Sequence, residues 1–382
     1  MVLFSAPDAV REIFRLDPAI APAGRSWEFL RPFAGPHSIL LLDGEEHVRE
    51  RRLLTGPFHG EPMRALTPVV AALARAELDT WSGRVVALAR MRKLTLEIIL
   101  RVVFGATGER ERLELRDAIE ETLGGVRSPP RMLAMALVQR DLGPRSPWGS
   151  FRVAVERFDA LLLALIARRR AEHAAGTGGL RKSVLTLLLD QRDADGRPAS
   201  DRQLRDQLVA LLVGGHDSTA ASLAWAFERL AHHPSVQARL TEGDPSYLDA
   251  VVKEVLRVRP ALTIAPRLLL QPVRIAGCAL PARVQVAACL WLAMRREDLW
   301  PAAGAFRPER WLEGPPADSM SWIPFGGGVR RCAGAPFAEM EMREVLRAAA
   351  HLRLRPVRAQ AERARRSMLV VTPRRGGELL VG

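Results

Sequence analysis

The sequence predicts a mainly α fold carrying a small β subdomain. Three observations support that class. Apolar residues recur at helical spacing through most of the chain, and the longest such run extends from Ser200 to Leu230. Period-two alternation is confined to residues 268–289 and to the C-terminal tail, where turn residues separate short apolar runs. No stretch reaches eighteen consecutive apolar residues and no internal repeat stands out, so neither a membrane-spanning helix nor a solenoid is expected.

Taken in order, Val2 to Phe4 reads as a short strand and Asp8 to Arg15 as a helix, followed by a Pro- and Gly-rich loop over residues 17–40. The next helix carries His47 and Arg51 four residues apart, a spacing that puts both on one face. Arg64–Trp81, Leu88–Phe104 and Glu109–Gly124 have helical periodicity. Proline-containing segments at Ser128 and at Leu142–Trp148 break the chain, and a helix runs from about Phe151 to His173. The glycines after it, ending in Lys182 and Ser183, superficially look like a phosphate loop. Arg181 replaces the required glycine and no clear strand precedes, which argues against nucleotide binding.

Ser200 is placed to cap the longest helix. Its interior holds Gly214, Gly215, His216, Asp217, Ser218 and Thr219 in succession. Two interior glycines each cost about 1 kcal/mol relative to alanine, and the acid and hydroxyls compete for backbone hydrogen bonds. A local distortion is expected there, a polar groove in an apolar helix. The other reading is close helix packing through the glycine pair. Glu254 and Arg257 share a helical face, a pattern that elsewhere in the chain means little. Residues 268–275 and 284–289 read as hairpin strands, with Cys278 and Cys289 as packing residues. The tail, Ser367–Thr372 and Glu378–Val381, reads as one more hairpin.

The net charge of +13 is carried almost wholly by arginine, Lys93, Lys182 and Lys253 being the only lysines. The arginines interleave with acids along helical faces, as in Glu109–Asp117, and Tyr247 is the only tyrosine, so no basic-aromatic nucleic-acid platform is visible. Three cysteines without a C-x-x-C spacing make a disulfide framework or a structural zinc site an unlikely use of them.

One stretch carries chemistry. Phe325 to Gly334 contains three consecutive glycines, then Arg330 and Cys332, and a helical run opens just after Pro336. Glycines let a backbone turn sharply and lie flat against a bulky ligand. Proline is favoured in a first helical turn, so Cys332 sits just ahead of a helix N-terminus. Free N–H groups and the helix dipole there favour a thiolate, as does a neighbouring Arg330. A thiolate against a flat loop is what an axial sulfur ligand to haem iron requires.

The pattern Phe-x-x-Gly-x-Arg-x-Cys-x-Gly is met at Phe325, Gly328, Arg330, Cys332 and Gly334, and in this the chain closely resembles the cytochrome P-450 superfamily. The resemblance implies haem b between the long helix and the Cys332 loop, with Cys332 as iron ligand. It implies that His47 and Arg51 grip a haem propionate, that Arg267 is a second propionate-binding arginine and that Arg330 is a third cationic contact. The Gly214–Thr219 run resembles the family's oxygen-activation motif, which makes Asp217, Ser218 and Thr219 the catalytic residues. Ser218 departs from the usual threonine, lacks the rotamer-fixing methyl, and is expected to make proton delivery leakier. Glu254, Arg257 and Arg310 match a structural lock behind the haem. Family members also carry residues ahead of the strand at Val2, so a first helix and an outer strand are expected to be missing.

These residues read as a single domain over 1–382, a soluble, cytoplasmic monooxygenase inserting one oxygen atom of O2 into an apolar, lipid- or terpenoid-like substrate. No membrane anchor and no nucleic-acid partner are expected. Electrons are expected from a separate ferredoxin or flavodoxin with its reductase. The pocket is expected from residues near 24–40, 125–148, 209–218, 262–269 and 367–371, including Leu211, Leu262, Ile264, Ala265 and Met368. Two rival classes use the same cysteine: a peroxygenase, isomerase or dehydratase, and a non-catalytic haem carrier or sensor.

Overall fold

The computed structural model describes residues 1–127, 143, 145–176, 183–193, 195–367 and 369–382. The expected break at Ser128, the glycine run up to Lys182, and Met368 lie outside the described residues. The elements in order are β1 (Val2–Phe4), α1 (Pro7–Arg15), α2 (Arg31–Ala34), α3 (Gly44–Thr55), α4 (Gly60–Leu78), β2 (Gly83–Val86), α5 (Ala87–Ile98) and α6 (Glu109–Arg127). There follow α7 (Pro147–Ala174), α8 (Val184–Leu189), α9 (Asp201–His232), α10 (Pro234–Leu240), α11 (Pro245–Val258), β3 (Ile264–Leu268), β4 (Val273–Ile275), β5 (Cys278–Leu280) and β6 (Gln285–Cys289). The chain ends in α12 (Leu290–Ala293), α13 (Ala335–Ala349), β7 (Leu354–Pro356), β8 (Ala364–Ser367), β9 (Val370–Pro373) and β10 (Glu378–Val381). The fold is mainly α with small β sheets.

Helix α9 organises the core. It starts in a reciprocal cap: the Gln203 N–H donates to Ser200 Oγ at 3.2 Å, and the Ser200 N–H donates to Gln203 Oε1 at 2.9 Å. From Leu204 onward its apolar residues are buried on nearly every side, which is why its sequence shows little amphipathic contrast. Helix α5 is its most extensive partner, and α7, α13 and β9 also pack on it.

Among the described residues the strands form four sheets. Strand β6 is central in the first, parallel to β1 and antiparallel to β3, with Arg267 opposite Val286. Strands β4 and β5 make a hairpin. The tail differs from the single hairpin expected. Strand β8 pairs with β9, whereas β10 leaves to pair with both β2 and β7. Gly376 and Gly377, at φ 82° and 71°, turn the chain between them.

Three further expectations are corrected. Residues 17–40 are not all loop, because a 3-10 turn over Gly24–Leu30 leads into α2. Burial of Leu30, Ala34 and Leu41 in one apolar cluster orders this segment. The helix expected over Leu88–Phe104 ends at Ile98 and continues as a π turn over Ile99–Val103. Of the two cysteines expected to pack, Cys289 is buried but Cys278 is exposed, since β5 is in a two-stranded hairpin with one open face.

Candidate active site

The cysteine loop is closed on itself: the Cys332 N–H donates to the Phe325 carbonyl at 2.9 Å and the Arg331 N–H to the Gly328 carbonyl at 3.1 Å. Gly328 has φ 62°, and a Cβ there would collide with the Phe14 carbonyl; one on Gly327 would enter the Phe14 ring. Two of the three glycines therefore let the loop dock on α1, a demand set by the protein's own first helix. At Gly326 and Gly334 an added Cβ would meet no atom within 4 Å, so that side of the loop is open. Phe325 is half-buried, its ring edge-on to Trp322 with centroids 6.4 Å apart.

Helix α13 opens three residues past Cys332. The Gly334 and Ala335 N–H groups donate to its sulfur, and the nearby Arg51 and Arg331 guanidiniums also favour the thiolate. Desolvation still outweighs all four influences and pushes the thiol pKa up. Cys332 is exposed by surface area, yet its sulfur is crowded by protein atoms. A metal ion bound at this sulfur would favour its ionised form.

Cations converge above this loop. His47, buried on α3, is pushed down to about 3 by burial and then by Arg330, Arg51 and Arg267. Arg267 on β3 is buried, and desolvation with the charge of Arg330 lowers it to about 10. Burial also lowers Arg51. Arg330 is already engaged: it donates to the Ile39 carbonyl at 3.0 Å, to the Leu42 carbonyl and to Asp43. Asp43 Oδ1 also accepts the Ala23 and Gly24 N–H groups at 2.9 and 3.1 Å. Arg330 thus clamps the cysteine loop to the segment before α3. Among the described residues, neither Arg51 nor Arg267 has a carboxylate partner. Three guanidiniums with one aspartate are suited to a ligand bringing further negative charge. An exposed-side sulfur, an open glycine face and surplus cations fit a flat, metal-bearing, dianionic cofactor.

On α9 the expected distortion is absent: the helix is unbroken from Asp201 to His232. The Ser218 hydroxyl donates to the Gly214 carbonyl one turn back, which occupies the hydroxyl without displacing the helical ladder. Gly214 is nevertheless exposed in the middle of this buried helix, and a Cβ there would meet nothing within 4 Å. Close glycine packing occurs only at Gly215, against Ile99. Asp217 Oδ1 accepts Arg92 Nε–H from α5 at 3.0 Å. His216 is buried, with Nδ1 at 2.8 Å from Thr95 Oγ1. Thr219 is buried beside them.

Behind the loop, Arg257 donates bidentately to buried Glu254 at 2.8 Å through both Nε and Nη2, and Arg310 Nε donates to Glu254 Oε1 at 3.1 Å. The Trp311 indole and the Arg307 N–H complete the carboxylate at 3.0 and 2.9 Å. Arg257 also donates to the Met294, Ala303 and Ala305 carbonyls. The structure therefore brings these three sequence-selected residues together, and Arg257 gathers the chain that leads to Arg310.

A cavity of about 190 Å³ is lined by Trp27, Phe29, Leu262, Ile264, Leu369 and Val371, with Ser26, Thr263, Gln285 and Arg366 among its polar residues. Of the pocket residues expected by name, Leu262 and Ile264 line this cavity and Leu211 and Ala265 do not; Gln285 and Arg366 were not expected. Arg92, Thr95, Asp43, Phe14 and Arg331 were missed as well. Each is distant in sequence from the motif it supports, or lacks a pattern of its own.

Comparison with known proteins agrees with this geometry. The family model for cytochrome P450 matches residues 1–351. Cytochrome P450 135B1 of Mycobacterium tuberculosis strain H37Rv is 36% identical over 400 residues, covering 100% of this chain and 82% of its own length. Cytochrome P450 138 of Mycobacterium bovis is 35% identical over 391 residues, covering 100% of this chain and 86% of its own. Among solved structures, a retinoic acid-bound cyanobacterial CYP120A1 superposes with TM-score 0.82 at 21% identity, covering 100% of this chain and 88% of its own. The haem domain of cytochrome P450DA gives 0.84 at 21% identity, covering 100% and 87%. Among the described residues no helix is long and apolar enough to cross a membrane. The chain belongs to the cytochrome P450 family of haem-thiolate monooxygenases.

Proposed function

We propose that the chain is a single-domain monooxygenase that holds haem b through Cys332 and oxidises an apolar, lipid- or terpenoid-like substrate with electrons from a separate ferredoxin or flavodoxin system. The haem, held through Cys332, would supply the O2 activation. One oxygen atom enters a C–H bond of the substrate and the other leaves as water, consuming two electrons and two protons from outside.

The chain's residues divide the remaining work. His47, Arg51 and Arg267 bind the cofactor's carboxylates, with Arg330 fixing the loop beside them. Phe325 and Gly334 shape the face on which the macrocycle rests, and Gly328 lets the loop that carries them dock on α1. Asp217, Ser218 and Thr219 hold and pass protons, with Arg92 fixing the Asp217 carboxylate. Glu254, Arg257 and Arg310 keep the cysteine loop in place and take no part in the chemistry.

The observation that carries this reading is the Cys332 sulfur, met by the Gly334 and Ala335 N–H groups just where α13 begins. Product analysis under labelled O2 with a surrogate ferredoxin and reductase tests it. Incorporation of one labelled oxygen, strongly reduced in Asp217→Asn, is expected. Product formation indifferent to that substitution and to O2 would point to an isomerase or dehydratase.

A further inference from the structure

Helix α9 holds a polar cluster near its start, well before Gly214, to which no role has been given. The chain from Gly35 to Asp43, between α2 and α3, runs against it as a strap. Gly35, at φ 79°, lies so close that an added Cβ would collide with the Asp206 carboxylate. Asp206 Oδ2 accepts the His37 N–H at 2.9 Å, and its Oδ1 accepts Arg205 Nη1 at 2.9 Å. Arg205 in turn donates through Nε to Asp159 of α7 at 2.8 Å. Beside them, Gln207 Oε1 accepts the Ile39 N–H at 3.2 Å. Its Nε2 donates to the His37 carbonyl at 2.7 Å and to Glu50 Oε2 of α3 at 2.9 Å. A backbone N–H demands the amide oxygen and a carbonyl the amide nitrogen, so these partners fix the side chain in one orientation. Asp206 and Gln207 are both buried, where water does not compete for such bonds.

The partners of Gln207 lead to both halves of the cation set. The Ile39 carbonyl accepts Arg330 of the cysteine loop at 3.0 Å, so one residue of the strap is held by α9 through its N–H and by the loop through its C=O. Glu50 stands on α3 between His47 and Arg51. A single glutamine therefore ties together the strap under Arg330 and the helix that presents His47 and Arg51.

We propose that Gln207, with Asp206 beside it, is a positioning residue for the cofactor. It sets the spacing at which His47, Arg51 and Arg330 meet the cofactor's carboxylates, without touching them itself. This rests on the reading of those cations as the cofactor's grip and adds what holds the grip in register. Second-shell partners of a bound metal group commonly change its affinity by 10- to 100-fold when removed.

The test follows haem transfer from the ferric haem-loaded protein to excess apomyoglobin, together with the resonance Raman band of propionate bending and thermal unfolding of the same samples. Gln207→Ala is expected to release haem about tenfold faster, with a shifted propionate band. Gln207→Glu sets two carboxylates against each other and should also speed release. Adding Glu50→Gln restores a hydrogen bond between positions 50 and 207 while the Ile39 N–H keeps its acceptor, and should recover most of the loss and the wild-type band. A lower unfolding temperature with the release rate and the band unchanged in Gln207→Ala overturns the proposal, as does a double variant that recovers nothing. Arg51→Gln separates the two readings. If it speeds release while Gln207→Ala does not, the grip stands and the positioning role falls; if neither variant alters release or the band, the grip itself is overturned.

Discussion

Arg92 of α5 donates through Nε to Oδ1 of Asp217 on α9, at 3.0 Å. The pair is only partly exposed, so it is held in a setting where a charge-assisted bond fixes geometry well. It ties the acid of the proposed proton path to the helix that packs most extensively on α9.

Asp217→Asn keeps the shape and removes the charge. Steady-state turnover should fall by roughly 10²-fold, in the range for a lost proton-transfer group, with little change in substrate affinity. Arg92→Gln frees the carboxylate without removing it. It should give a smaller loss of turnover and a larger share of reducing equivalents lost to peroxide. Both are read from product, NADPH consumption and peroxide in the same assay.

Glu254 is fully buried between Arg257 and Arg310. Glu254→Ala leaves two guanidiniums without their counter-charge, and stability should drop by about 3–5 kcal/mol. Denaturant unfolding of the haem-loaded protein measures this. The Trp300, Trp311 and Trp322 rings, packed tilted and edge-on beside the network, should report it through fluorescence.

Glu341 lies on α13, buried, with no hydrogen-bond partner for Oε1 among the described residues. Burial pushes its pKa up to about 8. A carboxyl whose folded value exceeds its unfolded value of 4.5 contributes stability that is full below 4.5 and is lost as pH rises through about 8. Glu341→Gln removes that dependence. The variant should gain on the wild type between pH 5 and 8, by on the order of 2 kcal/mol at the upper end. Thermal unfolding across this range checks it; parallel curves would contradict it.

The features legible in the sequence were those written locally. The cysteine loop spans ten residues, the His47–Arg51 and Glu254–Arg257 pairs each lie within one helical turn or so, and the Ser200 cap precedes its helix directly. What was not legible depends on tertiary proximity. Arg92 is 125 residues from Asp217 and Asp43 is 287 from Arg330, and nothing in either neighbourhood advertises the partner. The glycines of the loop were read as making room for a ligand, but Gly327 and Gly328 make room for Phe14. The glycines, acid and hydroxyls of Gly214–Thr219 were expected to distort the helix; the Ser218 hydroxyl instead bonds back to Gly214 within an unbroken helix. Strand β10 separates from β9 because its partners β2 and β7 are far away in sequence.

The most direct measurement is the Soret band of the reduced, CO-bound protein, recorded after haem loading for the wild type and for Cys332→Ala. The expected result is the long-wavelength band of thiolate ligation in the wild type, abolished in Cys332→Ala. A histidine-type band in the wild type, or the same spectrum in both proteins, would contradict Cys332 as the iron ligand.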